Sequence, residues 1–436
     1  MTTPIFDFVK KYAESKTARF HMPGHKGVGP LGCEAYDITE ISGADILYSA
    51  DGIIRESEDN LSEIYGTAHS FYSTEGSTLA IKAMLAIVTR GAEGRAVILA
   101  ARNAHASFIR AAALLDLDVK WIYPMDQSHL CDGRVTPDDI RLSLDAMDVK
   151  PCAVYLTSPD YLGNMSDIRA ISDYLKKYDV PLVVDNAHGA YLKFLPEDLH
   201  PISLGAAMCA DSAHKTLPVL TGGAYLHVSK SFSHYADMAR EALSLFASTS
   251  PSYLTLASLD LCNARLGSDY SSRIATIVRR AEEIKARISE MGLSLCSSEP
   301  LKITVKAGED LADHLRERGI EVEFSDSDYT VLMLTPENTE GDLDRLLKAM
   351  ADFKVCTRSD KRRYVPVHHE AEMTIRKAVF AKNELINAEN AVGRICAMPT
   401  VSCPPAVPIV ISGERITEDD VKLFKHYGIE TISVVK

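Results

Sequence analysis

The chain has 436 residues, 46% of them hydrophobic and 25% charged, enough for a large core and two or three domains. Its net charge of −13 argues against nucleic acid or an anionic membrane surface as the main partner and mildly favours a cationic small molecule. Nine scattered cysteines with no C-x-x-C pair fit a reducing compartment. With no signal-peptide core and no run of transmembrane length, a cytoplasmic protein is expected.

Residues 1–43 read as an N-terminal arm. Pro4–Ser15 is expected to form a short amphipathic helix with Ile5, Phe8, Val9 and Tyr12 on one side. Arg19–Gly32 (RFHMPGHKGVGPLG) is too rich in Gly and Pro for helix or strand. His21 and His25 have a chelating i, i+4 spacing, but Pro23 and Gly24 between them oppose the helix it requires.

Residues 44–250 alternate between helical and extended patterns and read as a large, cofactor-binding domain. Helical spacing covers Ser77–Val88, Phe108–Leu115, Pro137–Asp145 and Ile168–Tyr178. Apolar runs at Ala96–Ala100, Val119–Tyr123, Cys152–Thr157, Leu182–Asp185 and Ala224–Val228 read as strands. Continuous apolar strands alternating with helices predict an α/β fold with a mostly parallel central sheet, whose sites lie beyond the carboxyl ends of the strands. Residues 251–360 read as connecting helices (Tyr253–Ser289, broken near Gly267, after a helix over Ser233–Ala247) and a small α/β domain. Its elements are strands at Lys302–Val305, Glu321–Phe324 and Val331–Thr335 and helices at Leu311–Arg318 and Leu343–Phe353. Residues 361–436 read as a C-terminal domain with a basic start (Lys361–Arg363), a helix over Glu370–Val392 and an extended path where Pro399, Pro404, Pro405 and Pro408 fall. A last helix, Thr417–Tyr427, is opened by Thr417 and Asp420 as a capping pair.

Four motifs, each after a strand-like run, point to one chemistry. Lys215, in CADSAHKTLPVLTGGA, stands among Ser212, His214 and Thr216 and ahead of Gly222 and Gly223. A lysine so placed suits a pyridoxal 5′-phosphate (PLP) enzyme, which needs an amine free to attack a carbonyl; a surface lysine on a loop is the plain alternative. Phe71–Thr78 (FYSTEGST) offers Gly76, Ser77 and Thr78 at a helix N-terminus, where a phosphate is favoured, although an ordinary N-cap has the same composition. In Arg102–Ser107 (RNAHAS), His105 could stack on an aromatic ring. In Pro181–Tyr191 (PLVVDNAHGAY), Asp185 ends an apolar strand, where its carboxylate needs a cationic partner such as a protonated pyridine nitrogen.

These motifs, with FHMPGHKG (Phe20–Gly27), GADIL (Gly43–Leu47), TSPDYLG (Thr157–Gly163) and PPAVPIVISGERIT (Pro404–Thr417), resemble the bacterial ornithine/lysine/arginine decarboxylases of the fold-type I, aspartate aminotransferase-like PLP enzymes. The resemblance runs over nearly the whole chain and matches the short, biosynthetic-type form without an additional N-terminal domain. It implies that Lys215 forms the Schiff base with PLP and later returns a proton, that Asp185 pairs with the pyridine nitrogen, and that His105 and Ala187 cover the two ring faces. It also implies that Gly76, Ser77, Thr78, Ser212 and His214 hold the phosphate and that His188 sits near the ring hydroxyl. The implied reaction converts a basic amino acid, arginine or lysine ahead of ornithine, to its amine and CO₂ in a homodimer or larger assembly. Glu75 stands where the family commonly has Asn, and Ser402–Pro408 departs from the usual YPPGIP-like run.

Asp160 and Tyr161 lie in a loop where a substrate's distal cation could be read, or in an ordinary polar turn. Three other readings compete: another PLP reaction on the same scaffold (aminotransferase or lyase), a non-catalytic relative that binds a partner, and a metal hydrolase built on His21, His25, His368 and His369. No metal is expected.

Overall fold

The computed structural model describes residues 1–124, 127–354, 367–398 and 406–436. The chain divides into two compact units, 1–90 with 168–274 and 91–167 with 275–436. Seven strands belong to the large, mostly parallel sheet: β1 (His69–Ser73), β2 (Val97–Ala101), β3 (Asp118–Ile122), β4 (Ala153–Thr157), β5 (Leu182–Asp185), β6 (Met208–Asp211) and β7 (Ala224–Val228).

In the first unit the order is β1-β7-β6-β5. The β5 and β6 strands are parallel, with Asp185 opposite Ala210, whereas β7 runs antiparallel to both β6 and β1. Every residue of these four strands is buried, which is why β5 reads as an unbroken apolar run and not as an alternating one. The helix Gly76–Val88 buries residues all around its circumference, including Leu79, Met84, Leu85 and Ile87, so it is a core helix and not a surface one.

In the second unit β4-β2-β3 are parallel, with Ile98 opposite both Val119 and Ala153. The two small sheets are β8 (Lys302–Val305), β9 (Phe324–Ser325) and β10 (Thr330–Met333) in the order β8-β10-β9, and β11 (Asn383–Asn387), β12 (Cys396–Met398) and β13 (Thr431–Val435) in the order β11-β13-β12. Ile409, Val410, Ile416, Phe424, Ile432 and Val434 form the core under the latter.

Three expectations need correction. The helix read over Glu370–Val392 is confined to Ile375–Val379, and Asn383–Asn387 is strand β11, paired with β13 from Asn383–Val435 to Asn387–Thr431. Its side chains alternate between exposed and half-buried, the period of a strand with one covered face. The strand read over Glu321–Phe324 reduces to Phe324–Ser325. The helix read from Ser233 begins instead as a 3₁₀ turn, with α-helix only over Ala236–Ser244. The break near Gly267 separates helices Tyr253–Leu266 and Tyr270–Glu290, and Thr417 and Asp420 form a reciprocal capping box. Lys361–Arg363, Pro399, Pro404 and Pro405 lie outside the described residues. No helix among the described residues is long and apolar enough to cross a membrane.

Candidate active site

The ends of β5 and β6 are neighbours in a parallel pair, so the residues that follow each strand emerge side by side. After β6 the chain makes one short helix, Ala213–Thr216, that carries Lys215; the lysine is therefore on a helical turn and not on the loop of the plain alternative. Lys215 Nζ lies 3.0 Å from His188 Nε2, which comes from the turn after β5. An amine and an imidazole at that separation are hydrogen-bonded, and either can be the donor. Asp185 is buried, and one of its oxygens accepts the Ala187 N–H at 3.2 Å.

A second group forms at the start of the Gly76–Val88 helix. Ser212 Oγ donates to Ser77 Oγ at 2.8 Å, and the Gly76 N–H donates to the Gly222 carbonyl at 2.7 Å. His214 approaches the Gly223 carbonyl through both its backbone N–H, at 3.1 Å, and Nδ1, at 2.9 Å. This interlocking needs glycine at 222, where φ is +96° and a Cβ would meet the Thr74 carbonyl oxygen at 2.8 Å. The helix has no side-chain cap. Glu75, at the capping position, accepts the Ser248 N–H at 2.7 Å instead, so the departure from Asn faces away from the capping role.

Of the residues expected in the site, Gly76, Ser77, Thr78, Asp185, Ala187, His188, Ser212, His214 and Lys215 all belong to the first unit. His105 belongs to the second, where it caps the helix Ala106–Leu115 with Nδ1 accepting the Ser107 N–H at 3.1 Å.

The histidines of the hydrolase reading are engaged within the protein. His21 bonds Tyr12 at 2.6 Å, His25 bonds Asp37 at 3.1 Å, His368 stacks on Tyr123 and His369 bonds Asp420 at 2.8 Å. Asp160 is an interior turn residue: its carboxylate accepts the Asn164 N–H at 2.8 Å, the Asn164 amide at 2.9 Å and the Gly133 N–H at 3.2 Å. Tyr161 donates its hydroxyl to Glu323 at 2.8 Å.

Sequence reasoning passed over four residues directly beneath the strand ends. The Asn186 amide donates to Asp211 Oδ1 at 2.7 Å, and His200 Nε2 meets Asp211 Oδ2 at 3.0 Å. His227 Nε2 lies 3.4 Å from the same oxygen. The close fit extends to Gly189, where a Cβ would fall 2.0 Å from Asn186 Oδ1. Burial alone would raise the Asp211 carboxyl, but the charge and hydrogen bonds of His200 and His227 hold it well below the usual carboxylate range. Burial in turn lowers His227. The adjacency of Asn186 and Asp211 to motif residues was the available signal, and it went unused because an Asn and an Asp beside a turn are ordinary.

The family model for the major domain of Orn/Lys/Arg decarboxylase matches residues 3–307, and that for its C-terminal domain matches 358–429. The chain is 30% identical to arginine decarboxylase of Bacillus subtilis over 97% of its own length and 93% of that protein. To arginine decarboxylase of Halalkalibacterium halodurans it is also 30% identical, over 96% and 92% of the two chains. Among solved structures, the constitutive lysine decarboxylase of Escherichia coli has the same fold, with a TM-score of 0.81 at 19% identity over 100% of this chain and 82% of that one. With these matches spanning nearly its full length, the chain belongs to the Orn/Lys/Arg decarboxylase family and is a PLP-dependent decarboxylase of a basic amino acid.

Proposed function

We propose that the substrate is arginine and that the residues around Lys215 bind PLP and carry out the decarboxylation. The observation that carries the site assignment is the 3.0 Å contact of Lys215 with His188 beside the buried Asp185. The donor set suits the cofactor's three functional ends: an amine for its aldehyde, a buried carboxylate for its protonated ring nitrogen, and hydroxyls with an uncapped helix N-terminus for its phosphate. When bound, PLP supplies an electron sink for the pair released as CO₂ leaves.

In this reading Gly76, Ser77, Thr78, Ser212 and His214 hold the phosphate, Asp185 keeps the ring nitrogen protonated, and Ala187 lies against the ring. Lys215 and His188 hold the proton that is returned to the α-carbon. His105 covers the other ring face, a role that rests on the sequence. Arginine is favoured over lysine because four of the relatives aligned across 94% or more of the chain are named arginine decarboxylase.

The domain reading (1–43, 44–250, 251–360 and 361–436) is part of the proposal, supported in part by the separate small sheets β8–β10 and β11–β13. So is a homodimer. Its support is the run of exposed apolar side chains on the arm, Phe20, Met22, Val28 and Leu31, surfaces that a second copy would cover. A cytoplasmic location fits the free cysteines among the described residues.

The test is a visible absorption scan of the protein with PLP beside Lys215→Ala, followed by arginine, lysine and ornithine with CO₂ trapping. The expected result is a band that needs Lys215 and CO₂ from arginine in preference to the other two. A band with no CO₂ from any of them would move the assignment to another PLP reaction.

A further inference from the structure

We propose that Asn186 and Asp211 are positioning residues whose mutual hydrogen bond holds the Asp185–His188 turn in register with the Ser212–Lys215 turn. The inference rests on the roles given above to Asp185 and Lys215. Each partner is placed to do this by its neighbours: Asn186 stands between Asp185 and Ala187, and Asp211 directly precedes Ser212. The amide reaches the carboxylate at 2.7 Å, and the Asn186 N–H also donates to the Ala210 carbonyl at 2.9 Å. The two turns are thus tied twice, once through backbone and once through side chains.

The carboxylate is itself fixed from behind. Its second oxygen is held by His200 at 3.0 Å, with His227 at 3.4 Å. His227 Nδ1 is anchored by Ser70 Oγ at 2.7 Å, and Ser70 by Thr67 at 2.8 Å. Asn186, His200, Asp211 and His227 are all buried. An interior charge costs stability unless it is fully paired, and an apolar side chain of similar size would avoid that cost. What the charge adds is directionality: a hydrogen bond between two turns sets their spacing to a fraction of an ångström, which apolar contact does not. The ionised state of Asp211 described above is consistent with this role. Lys215 must meet a carbonyl carbon while Asp185 meets a ring nitrogen on the same rigid cofactor, so the spacing of the two turns governs both contacts at once.

The test uses the full chain with added PLP. Asn186→Ala removes the amide and leaves Asp211 bonded to His200, and Asp211→Asn keeps the shape and removes the charge. Asn186→Ala is expected to melt within a few degrees of the wild type but to lose roughly 10²-fold in kcat, with a smaller change in KM and an altered visible band. The double variant Asn186→Asp/Asp211→Asn restores an amide–carboxylate pair with reversed polarity and is expected to recover part of that loss. Wild-type kcat and band in Asn186→Ala would overturn the proposal, as would a double variant no better than Asn186→Ala. If Asp211→Asn fails to fold, Asn186→Ala decides the matter. A wild-type protein without a Lys215-dependent band would overturn the functional reading and this inference with it, whereas a normal wild type with indifferent variants would overturn the inference alone.

Discussion

Lys302 in one unit and Lys215 in the other differ in how deeply each is buried and in what each amine meets. Lys302, on β8, is fully buried; its Nζ donates to the carbonyls of Asp160 and Tyr161 at 3.3 Å each and lies over the Tyr161 ring. Lys215 is half-buried and faces an imidazole nitrogen at 3.0 Å. Carbonyl oxygens and a ring face only accept, so these partners of Lys302 take hydrogen bonds from its amine and offer it none. An imidazole accepts a proton and gives it back. Depth alone therefore does not make a lysine reactive; the chemistry of its partner does.

The sharpest way to break this comparison is to exchange the two losses. Lys215→Ala should reduce turnover by roughly 10³-fold or more while the melting temperature stays near that of the wild type. Borohydride reduction in the presence of PLP, followed by peptide mapping, should mark Lys215 and leave Lys302 unmarked. A label on Lys302 would dissolve the distinction.

Asp160, next to Lys302, gives a pH test. Burial raises its carboxyl from 3.8 to about 6, with the Asn164 hydrogen bonds offsetting part of the effect. The folded protein thus holds this proton more tightly than the unfolded chain does. Stability from this group is full below pH 4 and falls as pH rises toward 6, by on the order of 3 kcal/mol, and is level above. Urea unfolding across that range should show the decline, and Asp160→Asn should flatten it. A slope unchanged in the variant would mean that Asp160 is not the group responsible.

Lys302→Met keeps the volume but takes a donor from the Asp160 and Tyr161 carbonyls, the first of which keeps the Gly163 N–H at 3.1 Å. It should cost about 1–3 kcal/mol in unfolding free energy and leave the visible band intact. The smallest effect belongs to the last helix: Thr417→Ala removes one side of the capping box and should cost about 1 kcal/mol, with no change in KM. A larger loss there would show that the last helix contributes to more than its own end.

What could be read from the residues alone follows the range of the interactions that decide each element. Thr417 and Asp420 are three positions apart and settle a helix start between themselves. The β5 strand announces itself because burial on both faces leaves it apolar up to its last residue, Asp185. Asn383–Asn387 defeats such reading, since its partner, Thr431–Val435, lies near the chain end and its own residues suit a helix about as well. The site divides in the same way. Lys215, Asp185 and Ser77 stand at strand ends or a helix start, where position signals purpose, while the Asp211 network depends on His200 and His227, which only the folded chain brings to one carboxylate.

Gly189 has a backbone conformation open to any residue, so its constraint is one of space, set by Asn186 Oδ1 at 2.0 Å and Leu192 Cδ1 at 2.7 Å from where a Cβ would sit. In genetic terms, positions 186 and 189 are coupled: a side chain at 189 requires Asn186 and Leu192 to give way, and Asn186 is the residue whose amide bonds Asp211. A substitution at 189 is therefore felt first at 186, and through it at the bond to Asp211.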